Sequence, residues 1–173
     1  MNTRNAQGFT LVELMITLAV AAIILAWGVP SFIDFIKNNR LVGYANEFVA
    51  ATHLARAEAI KRRRYGYICP SSSYANAIPT CDATTDWSNG WVVWVDDDAD
   101  GAIDATEVLR VMEPFHASVT FGSAAAQQYR YDPMGVVNTA DTLDLCDDRT
   151  GETGRRISIS NAGRANITNL TCS

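Results

Sequence analysis

The chain has 173 residues, 48% of them apolar, enough for one folded domain with a core plus an appendage. Its 19 acidic residues outnumber 14 basic ones, so no overall field draws nucleic acid from a distance and any DNA contact is confined to a local patch. The four cysteines, Cys69, Cys81, Cys146 and Cys172, show no C-x-x-C spacing and have no neighbouring histidine, which sets zinc aside and points to disulfides in an oxidising compartment. Three pairings are open, and loop closure favours the sequence-local one, Cys69 with Cys81 and Cys146 with Cys172.

Residues 9–29, FTLVELMITLAVAAIILAWGV, form an apolar run close to the ~20 residues that a helix needs to cross a bilayer. The small residue Gly8 precedes this run, the reverse of an ordinary secretory signal, so cleavage there keeps the apolar helix. Glu13 lies inside the run. A carboxylate costs about 3 kcal/mol at mid-bilayer and less near an interface, so Glu13 either sits at headgroup depth or has a function.

The stretch Gly8-Phe9-Thr10-Leu11-Val12-Glu13-Leu14 resembles the cleavage and N-methylation motif of type IV prepilins and type II secretion pseudopilins. The resemblance implies that a prepilin peptidase cuts between Gly8 and Phe9 and methylates the new amino group of Phe9. It also implies that Glu13 pairs with the terminal amine of a neighbouring subunit during assembly. Electrostatics agrees, because a buried carboxylate and a buried ammonium are each costly alone and tolerable as a pair. Pro30, just past Gly28, is similar to the helix-kinking proline of many pilins.

Beyond Pro30 a helical period continues through Phe32, Phe35, Ile36, Val42, Ala45, Phe48, Val49, Thr52, Ala55 and Ala59. Asp34, Lys37, Asn38, Arg40, Glu47 and Arg56 make the other face polar, so this half of the helix has one face to pack on a sheet. The run Lys61-Arg62-Arg63-Arg64 closes the helix, where cations are favoured by its dipole. From Tyr65 the pattern becomes short strands, near 65–69, 90–96, 107–113, 117–121, 128–132, 156–160 and 164–168. Loops are marked at 71–73, 88–90 and 122–126, and Asn161-Ala162-Gly163 reads as a hairpin turn. Trp87, Trp91, Trp94, Phe121 and Tyr131 read as core and sheet-face aromatics.

Together, the helix end Ala55-Arg56-Ala57-Glu58-Ala59-Ile60, Cys69, the loop to Cys81, Trp87-Ser88-Asn89-Gly90-Trp91 and the acidic loop after it resemble the GspH/FimT-type minor pilins and pseudopilins. Gly163-Arg164 between two late strands, with a cysteine near the C-terminus, makes the likeness FimT/FimU-like. The implied fold is α+β, a type IV pilin fold with an antiparallel sheet stapled by two disulfides. The implied organisation is a leader over 1–8, a membrane or filament-core helix over 9–29, an amphipathic continuation over 30–64 and a β-rich head over 65–173.

Two side-chain constellations remain. Asp96 to Glu107 matches the twelve-residue calcium loop of an EF-hand: Asp96, Asp98 and Asp100 alternate, Gly101 permits the turn, Ile103 offers its carbonyl, Asp104 follows and Glu107 closes the site. Strands flank it where an EF-hand has helices, so the alternative is an unliganded acidic turn. The second is DNA capture, which FimT-type pilins perform through a Gly-Arg-x-Arg motif. Gly163-Arg164-Ala165-Asn166 lacks the second arginine, and Arg155 and Arg156 on the adjacent strand are the substitutes; the alternative is two edge strands kept soluble by charge.

No catalytic site is expected, since His53 and His116 have no nucleophile pattern beside them and no cofactor is required beyond an optional calcium ion. The resemblance implies a minor pilin that primes or caps a type IV pilus in twitching, adhesion or DNA uptake. Its partners would be major and minor pilins, the prepilin peptidase, the inner-membrane assembly platform and, for DNA uptake, DNA. It would be a single-pass inner-membrane protein with a periplasmic head before assembly, and part of a surface pilus or periplasmic pseudopilus afterwards. The runner-up is an H-type pseudopilin of type II secretion; a membrane-anchored DNA- or calcium-binding receptor that never polymerises is the alternative of another class.

Overall fold

The computed structural model describes residues 9–173. One helix, α1 (Leu11–Arg62), is followed by β1 (Tyr65–Pro70), β2 (Trp91–Asp96), β3 (Val108–Met112), β4 (Thr120–Ser123), β5 (Tyr129–Tyr131), β6 (Asp141–Cys146), β7 (Gly151–Ile159) and β8 (Ala165–Cys172). The chain divides into two compact units, one ending at Asn38 and one running from Asn39 to Ser173.

In the first unit the helix starts on a cap that the sequence writes locally. Thr10 precedes the first helical residue, its Oγ1 accepts the Glu13 N–H at 3.2 Å, and its carbonyl accepts the Leu14 N–H at 3.1 Å. Thr10-Leu11-Val12-Glu13 is the S/T-x-x-E pattern of a capping box, with Glu13 at the third helical position, where the dipole favours an anion. Pro30 lies within α1 and has no N–H for the carbonyl one turn back.

In the second unit α1 buries Leu41, Ala45, Phe48, Ala51, Thr52, Ala55 and Ala59, a stripe at spacings of three and four. Leu41, not Val42, is the inward residue; Val42 is 39% exposed. The small residues matter because β1 approaches closely: a Cβ on Gly66 would strike the Ala55 carbonyl oxygen and come within 3.1 Å of the Ala59 Cβ. The helix ends in a Schellman-type cap, with Arg63 left-handed at φ 56° and the Arg64 N–H donating to the Ala59 carbonyl at 3.1 Å. Lys61 and Arg62 both bond Glu58, at 2.9 and 2.8 Å, and hold its carboxyl below its ordinary range, Lys61 foremost.

The strands form two antiparallel four-stranded sheets, ordered β3-β2-β1-β5 and β4-β6-β7-β8, where the sequence pattern suggested a single sheet. Strand β6 is the element the sequence pattern missed, although Thr142-Leu143-Asp144-Leu145 alternates and both leucines are buried. The other strands fall near their expected places, with β4 shifted to 120–123 and β7 extended back to Gly151. The Asn161-Ala162-Gly163 turn is present: the Gly163 N–H donates to the Ser160 carbonyl at 2.8 Å and Gly163 has φ +69°.

Phe48 sits where the helix and both sheets meet. Its ring makes edge contacts with Trp91 and Tyr129 of the first sheet, at 6.0 and 6.5 Å, with Phe121 of the second at 5.0 Å, and with Trp87 at 5.4 Å. Trp87, Trp91, Phe121 and Tyr131 are buried, as expected of core aromatics. The disulfides pair Cys69 with Cys81 and Cys146 with Cys172, the sequence-local arrangement. The second joins β6 to β8 across β7, where Gly154 leaves room: a Cβ there would strike the Cys172 sulfur and approach that of Cys146 to 3.1 Å.

Candidate functional sites

At the N-terminus, Phe9 is 81% exposed, and from Leu11 to Val29 every large apolar side chain of α1 is exposed, Trp27 to 83%. Leu11–Arg62 is the one described helix long and apolar enough to span a membrane. A helix apolar all round needs lipid or other helices around it. Gly8, on the leader side of the expected cleavage, lies outside the described residues.

The acidic connection between β2 and β3 is partly assembled. Asp96, Asp98 and Glu107 each bring a carboxylate oxygen within 4.8 Å of the others. Asp96 and Glu107 are buried, at 5% and 3% exposure, while Asp98 is open to solvent. Glu107 is aimed by two backbone donors: Asp97 N–H to Oε1 at 2.6 Å and Asp104 N–H to Oε2 at 3.2 Å. Asp96 Oδ1 is buried without a hydrogen-bond partner among the described residues. Asp100 and Asp104 stand outside the cluster, Asp100 spending Oδ1 on the Ala102 N–H at 2.7 Å. Counting from Asp96 puts Ala102 at the seventh position, whose carbonyl serves in such loops, so the expectation for Ile103 is corrected. Ile103 instead packs its side chain on the Cys69, Val92 and Trp94 cluster. Arg62 reaches the rim of this loop, pairing with Asp97 at 2.5 Å.

The three arginines considered for DNA are not brought to one face. Arg155 and Arg156 are consecutive in β7 and point to opposite sides of the sheet. Arg156 is held in a fork by Asp144, at 2.6 and 2.7 Å, which raises its pKa and offsets its charge. Arg155 donates to the Gly154 carbonyl at 2.8 Å. Arg164 is exposed in the turn opposite Ser160, about 13 Å along the strand from Arg156. Gly163 beside it has a packing reason of its own, since a Cβ would meet the Gly135 carbonyl oxygen at 2.5 Å and the Tyr131 ring at 2.9 Å.

Both histidines are exposed. His116 shares a hydrogen bond with Ser118 at 2.8 Å inside a surface turn, and among the described residues no carboxylate orients its ring.

The family model described as type II transport protein GspH matches residues 44–163, most of the chain. This chain belongs to the GspH family. The prokaryotic N-terminal methylation motif matches residues 3–29, the segment that carries Gly8, Phe9 and Glu13. Among solved structures, the type IV minor pilin FimU of Pseudomonas aeruginosa matches at 26% identity with a TM-score of 0.61, covering 80% of this chain and 99% of that one. A second crystal form of FimU matches at 26% identity and a TM-score of 0.58, over 77% of this chain and 100% of that one. No curated protein sequence matches. This GspH-family chain is thus a membrane-anchored, pilin-fold protein.

Proposed function

We propose that this chain is a minor pilin that primes or caps assembly of a type IV pilus. The observation that carries the reading is the FimU likeness, which spans nearly all of that minor pilin and four-fifths of this chain. In this role the protein is structural rather than enzymatic. It begins as a single-pass inner-membrane protein with its disulfide-bonded head in the periplasm. Prepilin peptidase cuts between Gly8 and Phe9 and methylates Phe9. The assembly platform then moves the apolar helix from lipid into a bundle of other pilin helices. Burying one Leu, Ile or Val side chain is worth roughly 1.5–3 kcal/mol, so this stripe is stable only in lipid or among such helices. Glu13, in the first turn, pairs with the Phe9 amine of a neighbour and sets the axial register, since each charge is costly in the apolar core without the other. Twitching, adhesion and DNA uptake follow from the filament.

The GspH description of the matching family favours a second reading, a pseudopilin of the type II secretion filament. Counting surface pili on a strain lacking this chain, with complementation, separates the two. Loss of pili restored by the intact gene and not by Glu13→Ala supports the minor pilin. Normal piliation with a defect in protein secretion would replace that reading with the pseudopilin. A receptor that never polymerises would keep its function with Glu13→Ala.

A further inference from the structure

We propose that the connection between β2 and β3 is a calcium site, with Asp96, Asp98 and Glu107 as its carboxylate ligands. The inference goes beyond filament assembly and holds whichever filament the chain serves.

Acidic turns are common, and the case rests on what is buried here. Asp96 is 5% exposed, and its Oδ1 is a buried acceptor with no donor among the described residues, a costly arrangement that a bound cation relieves. Its carboxylate lies within 4.8 Å of those of Asp98 and Glu107. Oxygens bound to one calcium ion at 2.3–2.6 Å are never more than about 5 Å apart, so the three are close enough to share an ion. Glu107 is preset for the closing, two-oxygen role. Each of its oxygens accepts one backbone N–H, from Asp97 and Asp104, which fixes the carboxylate plane and leaves each oxygen a further lone pair.

Among the described residues no basic side chain pairs with the cluster. Arg62, at its rim, bonds Glu58 and Asp97, and none of Asp96, Asp98 and Glu107 is ion-paired among the described residues. The donors are all oxygen, which selects a hard cation over zinc or copper. Magnesium demands a compact octahedron at about 2.0–2.1 Å and holds its water, whereas calcium accepts a two-oxygen glutamate and irregular spacing. Water and the Ala102 carbonyl at the seventh position of the loop complete the shell. The ion ties the end of β2 to the start of β3 in a protein whose disulfides place it outside the reducing cytoplasm, where millimolar calcium is reached.

The test uses the full-length protein in a non-ionic detergent, stripped with a chelator and titrated with calcium chloride, or in parallel magnesium chloride, by calorimetry and thermal unfolding. One calcium per chain is expected, with a Kd in the range of about 10⁻⁴–10⁻³ M typical of extracellular sites. At tenfold excess over Kd the Tm rises by roughly 3–6 °C, and magnesium binds at least about tenfold more weakly. Asp98→Asn changes an exposed side chain, so the metal-free Tm stays within about 2 °C while calcium affinity falls at least about tenfold. Glu107→Gln abolishes the response. The proposal is overturned by the absence of heat and Tm shift up to about 10 mM calcium, by an equal response to magnesium, or by unchanged affinity in Asp98→Asn.

Discussion

Replacing Phe48 with alanine removes a ring that touches aromatics of both sheets. Buried Phe→Ala changes cost about 3–5 kcal/mol, and edge-on aromatic pairs add roughly 0.5–1.5 kcal/mol each beyond area. With four ring partners and no exposed surface, Phe48 belongs at the top of that range, about 4–5 kcal/mol. Domains of this size have about 5–15 kcal/mol in total, so roughly a quarter or more of the stability is lost. In urea, with a slope near 2 kcal/mol/M, the midpoint for the full-length protein in detergent falls by about 2 M. A fall below about 0.5 M at unchanged slope would refute the claim that this ring joins the sheets. Leu41→Ala and Val42→Ala test the helix face in the same assay: the first costs about 2–5 kcal/mol, the second stays within about 0.5 kcal/mol.

Burial pushes the Tyr131 hydroxyl up to about 12, and that of its neighbour Tyr129 further, with Asp141 adding to the effect at Tyr129. A raised folded-state pKa leaves stability intact below the unfolded value near 10 and removes it as pH rises toward 12; Tyr131→Phe flattens that part of the pH profile of the unfolding midpoint. The Tyr131 hydroxyl is buried with no hydrogen-bond partner among the described residues, so at neutral pH Tyr131→Phe is neutral or stabilising by about 1 kcal/mol. Gly163→Ala forces a side chain into a left-handed turn against Gly135 and Tyr131 and costs about 1–3 kcal/mol in denaturant unfolding, while Arg164→Ala stays within about 0.5 kcal/mol. Removing Cys146–Cys172, which closes a 26-residue separation, costs about 3.5 kcal/mol, against about 2.8 kcal/mol for Cys69–Cys81 with its separation of 12; double serine variants in the same unfolding assay check the order.

Much of the architecture was legible because its signals are local: a 3.6-residue period for the helix, alternation for most strands, and glycine at the last hairpin. The failures have physical causes. Val42 and Leu41 are both apolar neighbours on a helix, and only the position of Phe48, seven residues past Leu41, decides which turns inward. Strand β6 was obscured by Asp141 and Asp144, whose carboxylates serve long-range contacts. Asp141 Oδ2 accepts the Ala126 N–H at 2.8 Å and the Tyr129 hydroxyl at 3.2 Å, and Asp144 holds Arg156. Acidic residues in a strand suggest a loop until their partners are known. The split into two sheets was equally hidden, because strand pairing joins segments distant in the chain.

The candidate sites divide by the same logic. The acidic loop is written within twelve consecutive residues, so spacing alone named Asp96, Asp98 and Glu107. Spacing did not reveal that Asp96, at the end of β2, and Glu107, just before β3, are buried while Asp100 and Asp104 lie outside the cluster. The arginines show the converse. Arg155, Arg156 and Arg164 look like one basic patch when read along the chain, yet strand alternation separates the first two and Asp144 claims the second. A phosphate-binding face needs free cations on one surface, which is a property of sheet register rather than of sequence proximity. The burial that favours an ion between β2 and β3 and the register that disperses charge on β7 are therefore decided by the same thing, which strand ends meet in the folded head.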